Sequence, residues 1–79
     1  MGKKNEKKEV GLLASLFAAN LRKRRERMEL SQSELAARAG YTVSMISMLE
    51  RGNRQPSFAA IEHFAAALGC GHPREMFRG

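Results

Sequence analysis

The stretch YTVSMISMLERGNRQPS, Tyr41 to Ser57, carries two helix-start signals and one stop between them. Thr42 can cap a first turn, Ile46 and Leu49 recur at the spacing of one buried face, and Gly52 supplies the stop. Pro56 and Ser57 then open another helix. At about 100° per residue, Val43, Ser44, Ser47, Met48 and Arg51 share one arc, while Met45, Ile46, Leu49 and Glu50 share the opposite one. The second arc is the core side. The first is left to face solvent or a partner, and the apolar Val43 and Met48 are the unexpected members of it.

Outward from this segment the same punctuation repeats. Ser31-Gln32-Ser33-Glu34 has the form of a capping box, Leu35, Ala36 and Ala39 follow, and Gly40 stops the run. Little more than Gly40-Tyr41-Thr42 separates this helix from the next, which is the turn length and glycine placement of a helix-turn-helix. Upstream, Val10, Leu13, Phe17 and Leu21 repeat at three- and four-residue steps and predict a long first helix running to Arg27, with Leu12 and Leu16 beside the stripe. Downstream, Phe58, Ile61, Phe64, Ala65 and Leu68 lie on one face of a fourth helix ending at Gly69, and Pro73 opens a short fifth through Met76 and Phe77. The expected fold class is all-α, a compact five-helix bundle with residues 1–8 as a flexible Lys-rich tail and residues 9–79 as one helix-turn-helix domain. Helices this short do not stand alone in water, so their apolar faces must pack together.

The 79 residues hold 14 Lys and Arg against 8 Asp and Glu, a net charge of +6 that draws the chain toward polyanions. The basic residues gather in short clusters, which favours nucleic acid over a membrane surface. No apolar stretch is long enough to span a bilayer. The charged start followed by VGLLASLFAA has the layout of a secretory signal, but acidic residues interrupt the charged part, NLRKRRER follows directly, and the apolar residues continue at helical spacing. A single cysteine, Cys70, leaves no internal disulfide and fits a cytoplasmic setting.

Cys70, His72 and His63 are too few for a metal site, which normally takes about four ligands. A Cys-His nucleophile needs an orienting third group and a pocket that so short a chain scarcely offers. No metal, cofactor or catalytic activity is expected. Cys70 reads as a small apolar residue, His72 as a turn residue and His63 as a solvated helix residue. The run Arg22-Lys23-Arg24-Arg25-Arg27 is either a nucleic-acid patch or a solvated and paired face, because a helix spreads such residues around its circumference.

LRKRRERMELSQSELAARAGYTVSMISMLERGNRQPSFAAIEHFAAALG resembles the helix-turn-helix domains of phage repressor and Cro type, also called the xenobiotic-response-element family. The likeness covers about Phe17 to Phe77 and rests on Leu30-Ser31-Gln32, Leu35-Ala36, Gly40, Ile46-Ser47, Glu50-Arg51-Gly52 and Pro56-Ser57, in that order and at those intervals. It implies a transcriptional regulator of double-stranded DNA whose helix 2 crosses the backbone while helix 3 enters the major groove. It further implies phosphate contacts from Gln32, Asn53 and Arg54, to which the capping Thr42 is added, and an ion pair between Arg25 and Glu50. Two departures stand out: the first helix runs about two turns ahead of the usual start at Phe17, and CGHPREMF is one residue longer than the common connection.

The residues expected at base edges are Val43, Ser44, Ser47 and Met48. Bidentate Arg, Asn or Gln contacts discriminate bases by roughly 1–3 kcal/mol each, and of these types the arc offers only Arg51, at its far end. Direct readout is therefore expected to be modest, with apolar contacts to thymine methyls and the remainder from DNA shape. Met48 either makes such a contact or is a surface methionine. One domain of this size covers little DNA, so a homodimer on half-sites one turn apart is the expected arrangement. Leu12, Leu16, Met76 and Phe77 are the expected dimer or partner surface, with closure of the core as the alternative for Phe77. The competing function is a protein-interaction module of the same fold, antitoxin-like or coactivator-like.

Overall fold

A computed structural model of the chain describes the backbone of residues 2–78 and the side chains of residues 11–78. The Lys-rich residues 1–8, expected as a flexible tail, lie outside the fully described residues. The elements are α1 (Gly2–Arg27), α2 (Gln32–Ala39), α3 (Val43–Glu50), α4 (Phe58–Ala67) and a closing 3-10 helix, Pro73–Phe77. The short fifth helix expected to open at Pro73 is thus a single 3-10 segment. His72 caps this turn by accepting from the Arg74 amide at 3.1 Å, and Pro73 fixes its first dihedral, but five residues are too few for an α-helical ladder.

Local signals set the boundaries. Ser31 and Glu34 form the reciprocal capping box at the start of α2, while Thr42 and Ser57 cap α3 and α4 through their side-chain oxygens. The backbone bond that Ser31 donates to Glu34 holds this carboxyl below its usual range. Every α-helix ends alike, with an amide reaching back to a carbonyl five residues earlier: Leu30 to Arg25, Tyr41 to Ala36, Asn53 to Met48 and Cys70 to Ala65. The left-handed residue this demands is glycine at Gly40, Gly52 and Gly69, but at the end of α1 it is Glu29, with φ 56°.

Phe17, Leu21, Leu35, Ile46, Leu49, Phe64 and Met76 are the large side chains fully buried in one core. Phe17 meets Phe64 edge to face at 6.3 Å and Phe77 at 5.8 Å, so α1 is packed against both α4 and the 3-10 helix. The inner face of α1 is Ala14, Phe17, Ala18 and Leu21. Leu13, which the periodicity turns inward, is 56% exposed, and Phe58, expected on the inner face of α4, is 89% exposed. Phe58 opens α4 at its first turn, whereas Leu13 lies in the middle of α1 on a stretch that no neighbouring element covers. The almost buried Asn20 donates from one amide nitrogen to the carbonyls of Leu16 at 2.9 Å and Arg78 at 2.8 Å, fastening the end of the chain to α1. Among the described residues no helix is long and apolar enough to cross a membrane.

One polar group ties the helices together. Arg25 of α1 donates from Nε and Nη2 to the two carboxylate oxygens of Glu50 at 2.6 and 3.0 Å, and from Nη1 to the carbonyl of Leu30 at 2.8 Å. Both side chains are close to buried. The hydrogen bonds to Glu50 push the guanidinium above its ordinary value, with burial pulling the other way.

Two outcomes are expected in urea or thermal denaturation. Glu50→Ala strands a nearly buried guanidinium and lowers the unfolding free energy by about 3 kcal/mol, most of which the double change Arg25→Met, Glu50→Leu recovers; a single variant as stable as the wild type would contradict this. Glu29→Gly relieves the left-handed strain and raises stability by about 0.5–1 kcal/mol, or roughly 2–8 °C in Tm. A lowered Tm would show Glu29 to be bound there by something other than its backbone.

Candidate nucleic-acid interface

Gly40 turns the chain between α2 and α3 in the left-handed conformation, φ 79°, and the capped start of α3 follows within two residues. The two helices pack on each other, and α3 also packs on α1. With Ile46 and Leu49 buried beneath it, α3 presents Val43 and Ser44 as exposed residues, followed by half-buried Ser47 and Met48 and exposed Arg51. The arc read from spacing is thus the outer surface of α3. Val43, 44% exposed, stands at its first turn.

Gln32 occupies the first turn of α2 and lies half-buried, its amide donating to Glu50 Oε1 at 3.1 Å. That amide nitrogen carries two hydrogens, so the bond to Glu50 orients the side chain and leaves a donor for an acceptor outside. Capping takes the third amide of each helix: Glu34 N donates to Ser31 Oγ at 3.0 Å and Met45 N to Thr42 Oγ1 at 3.1 Å. The amides ahead of these, at the starts of α2 and α3, are the groups a helix N-terminus offers to a phosphate. Thr42 is exposed, but its hydroxyl oxygen is already an acceptor for its own helix. Asn53 and Arg54 are exposed in the loop after α3.

Two residues of the basic run left open as a nucleic-acid patch or a solvated face come together with Arg51 of α3. Arg22 and Lys23 of α1 line an open cleft with Arg51 and Gly52 at the end of α3, together with Glu26, Glu50 and the small residues Ser15, Ala18 and Ala19. Arg22 also pairs with Glu26 at 3.2 Å. The spacing within α1 locates these cations on the helix, but only the crossing of α1 and α3 brings them to Arg51.

The remaining candidates fall elsewhere. Met76 is fully buried, which corrects its assignment to a dimer or partner surface: it fills the space under α1 and α4 and touches Cys70, sulfur to sulfur, at 3.7 Å. Burial pushes the Cys70 thiol above its usual value. Phe77 and Leu16 are half-buried, and Leu12 is 57% exposed. His63 is exposed, and its Nδ1 lies 2.8 Å from the hydroxyl of Tyr41, whose ring stacks on Phe64 at 4.8 Å. Among the described residues, no three His, Cys, Asp or Glu side chains are grouped so as to hold a metal.

Comparison with known proteins agrees with this geometry. The family described as a helix-turn-helix domain matches residues 16–76. The chain is 35% identical over 60 residues to the uncharacterized HTH-type transcriptional regulator y4dJ of Sinorhizobium fredii, covering 76% of this chain and 78% of that protein. In three dimensions it is similar to a hypothetical transcription factor, NHTF, from Neisseria, with TM-score 0.79, 32% identity and coverage of 84% of this chain and 75% of that one. It is also similar to the restriction-modification controller protein C.AhdI from Aeromonas hydrophila, with TM-score 0.76, 38% identity and coverage of 81% and 96%. A capped helix pair joined through Gly40, with the family match running across it, makes this chain a member of the xenobiotic-response-element-like helix-turn-helix family of DNA-binding transcriptional regulators.

Proposed function

We propose that the chain is a sequence-preferring regulator that lays α3 in the major groove of duplex DNA and acts as a homodimer, without catalysis. The observation that carries this reading is the outer arc of α3: Val43 and Ser44 are exposed and Ser47 and Met48 half-buried, opposite a core filled by Ile46 and Leu49. In the proposed docking, phosphates meet the amides at the starts of α2 and α3, the free donor of Gln32, and Asn53 and Arg54 in the following loop. Thr42 adds to the same edge through its hydroxyl hydrogen. Val43 and Met48 pack on thymine methyls, and Ser44 and Ser47 bond to base edges. The net charge of +6 supplies the non-specific attraction.

Selection from a random duplex pool at several salt concentrations tests this. Enriched sites should hold two inverted half-sites about one helical turn apart. Arg54→Ala should weaken all duplexes alike and lower the salt slope by about one. Met48→Ala should relax the preference at a thymine by about 1 kcal/mol and leave the salt slope unchanged. Absence of enrichment, with affinity indifferent to salt, would overturn the proposal.

A further inference from the structure

A hollow of about 240 Å³ opens between α3, the loop after it and the start of α4. Tyr41, Met45, Leu49, Pro56 and Ala60 form its apolar part, and Leu49 and Ala60 belong to the core. Tyr41 is held as a wall: its ring stacks on Phe64 at 4.8 Å, and its hydroxyl lies 2.8 Å from His63 Nδ1. The polar part is Arg54, Gln55 and Ser57. Ser57 Oγ accepts from the Ala60 amide at 3.0 Å, which leaves its hydroxyl hydrogen as a donor. Among the described residues no carboxylate lines the hollow, and Arg54 is in no ion pair. The hollow is thus apolar at its buried end and cationic at its exposed end.

We infer that this hollow binds a small aromatic carboxylate, its ring against Tyr41, Met45 and Leu49 and its acid group on Arg54, and that the bound acid competes with DNA. Size sets the ligand class. A cavity of about 150 Å³ suffices for a benzene ring, whereas drug-sized ligands take about 300–1,000 Å³, so this hollow holds one ring with one acid group and little more. Charge sets the rest. A guanidinium grips a carboxylate through two parallel N–H bonds, and Gln55 and Ser57 add donors beside it. An amine would meet Arg54 with like charge and no acid to balance it, while an inorganic anion would leave the apolar end to water. Arg54 belongs to the loop proposed to meet phosphates, and one guanidinium cannot hold a phosphate and a bound acid together. The competition therefore rests on the proposed DNA docking, whereas binding of the acid does not. By linkage, a duplex lowers the affinity for the acid by the same factor as the acid lowers that for the duplex.

Titration of the full chain with sodium benzoate at constant ionic strength, followed through its amide NMR signals, tests the inference. Benzyl alcohol serves as the neutral counterpart and sodium acetate as the acid without a ring. Benzoate should shift the amides of Tyr41, Met45, Leu49 and Ala60 saturably, with a Kd of about 0.1–1 mM for a ligand of so few atoms. The alcohol and acetate should each bind at least about tenfold more weakly, and the exposed change Arg54→Gln should weaken benzoate about tenfold. Met45→Trp, which fills the hollow, should abolish binding in a chain whose thermal melt shows it folded. Absence of saturation, an alcohol or acetate that binds as tightly, or benzoate binding indifferent to Arg54→Gln would overturn the inference. On a duplex taken from the pool selection, benzoate at twice its Kd should raise the duplex Kd about threefold against acetate at the same concentration; an unchanged duplex Kd would overturn the competition. The two readings fail separately. Enrichment of duplexes by a chain that ignores benzoate keeps DNA binding and removes this site, whereas saturable benzoate binding by a chain that enriches nothing keeps the site and removes the DNA reading.

Discussion

The carboxylate of Glu50 is the fixed point on which the arrangement of α1, α2 and α3 depends. It receives two bonds from Arg25 on α1 and one from Gln32 on α2, while belonging to α3. The third arm of Arg25 closes the turn before α2 by bonding to the carbonyl of Leu30. A buried charge pair contributes little net stability over a well-packed apolar pair, because desolvation offsets most of the attraction. Its bonds have fixed directions, however, and apolar packing does not. Because Glu50 of α3 bonds to α1 and α2 at once, these bonds constrain the angle between α2 and α3 in a way that apolar packing alone does not.

Much of the fold is legible in the sequence because its boundaries are local events. Ser31 with Glu34, Thr42, Ser57, and the glycines at 40, 52 and 69 act within a few residues of themselves, so their spacing already states the geometry. The end of α1 escapes such reading because Glu29 holds the left-handed place that glycine usually marks. Asn20 escapes too: its partner at Arg78 is 58 residues away, and no local pattern announces a bond of that span. The outer arc of α3 is legible from helical angle alone, since Ile46 and Leu49 define the inner side of a short helix without ambiguity.

Periodicity misleads where an apolar residue lies beyond the reach of the neighbouring helix. A hydrophobic stripe says which residues share a face, but not how far the neighbouring helix extends over it. Leu13 and Phe58 share a face with core residues yet lie past the edge of the cover, whereas Met76, in a segment too short to show a period, is wholly enclosed. The same limit applies to the cationic group of Arg22, Lys23 and Arg51, which is assembled by a helix crossing and has no sequence spacing of its own.

The bond from Asn20 to Arg78 and the pairing of Arg24 with Glu75 at 3.4 Å join α1 to the last turn of the fold. Residues far apart in sequence therefore order each other, and neither has a settled position until the other arrives. Such closure makes loss of structure an all-or-none event. α3 shares that closed core through Ile46 and Leu49, so its outer surface is held by the packing of the whole domain and not by eight residues on their own.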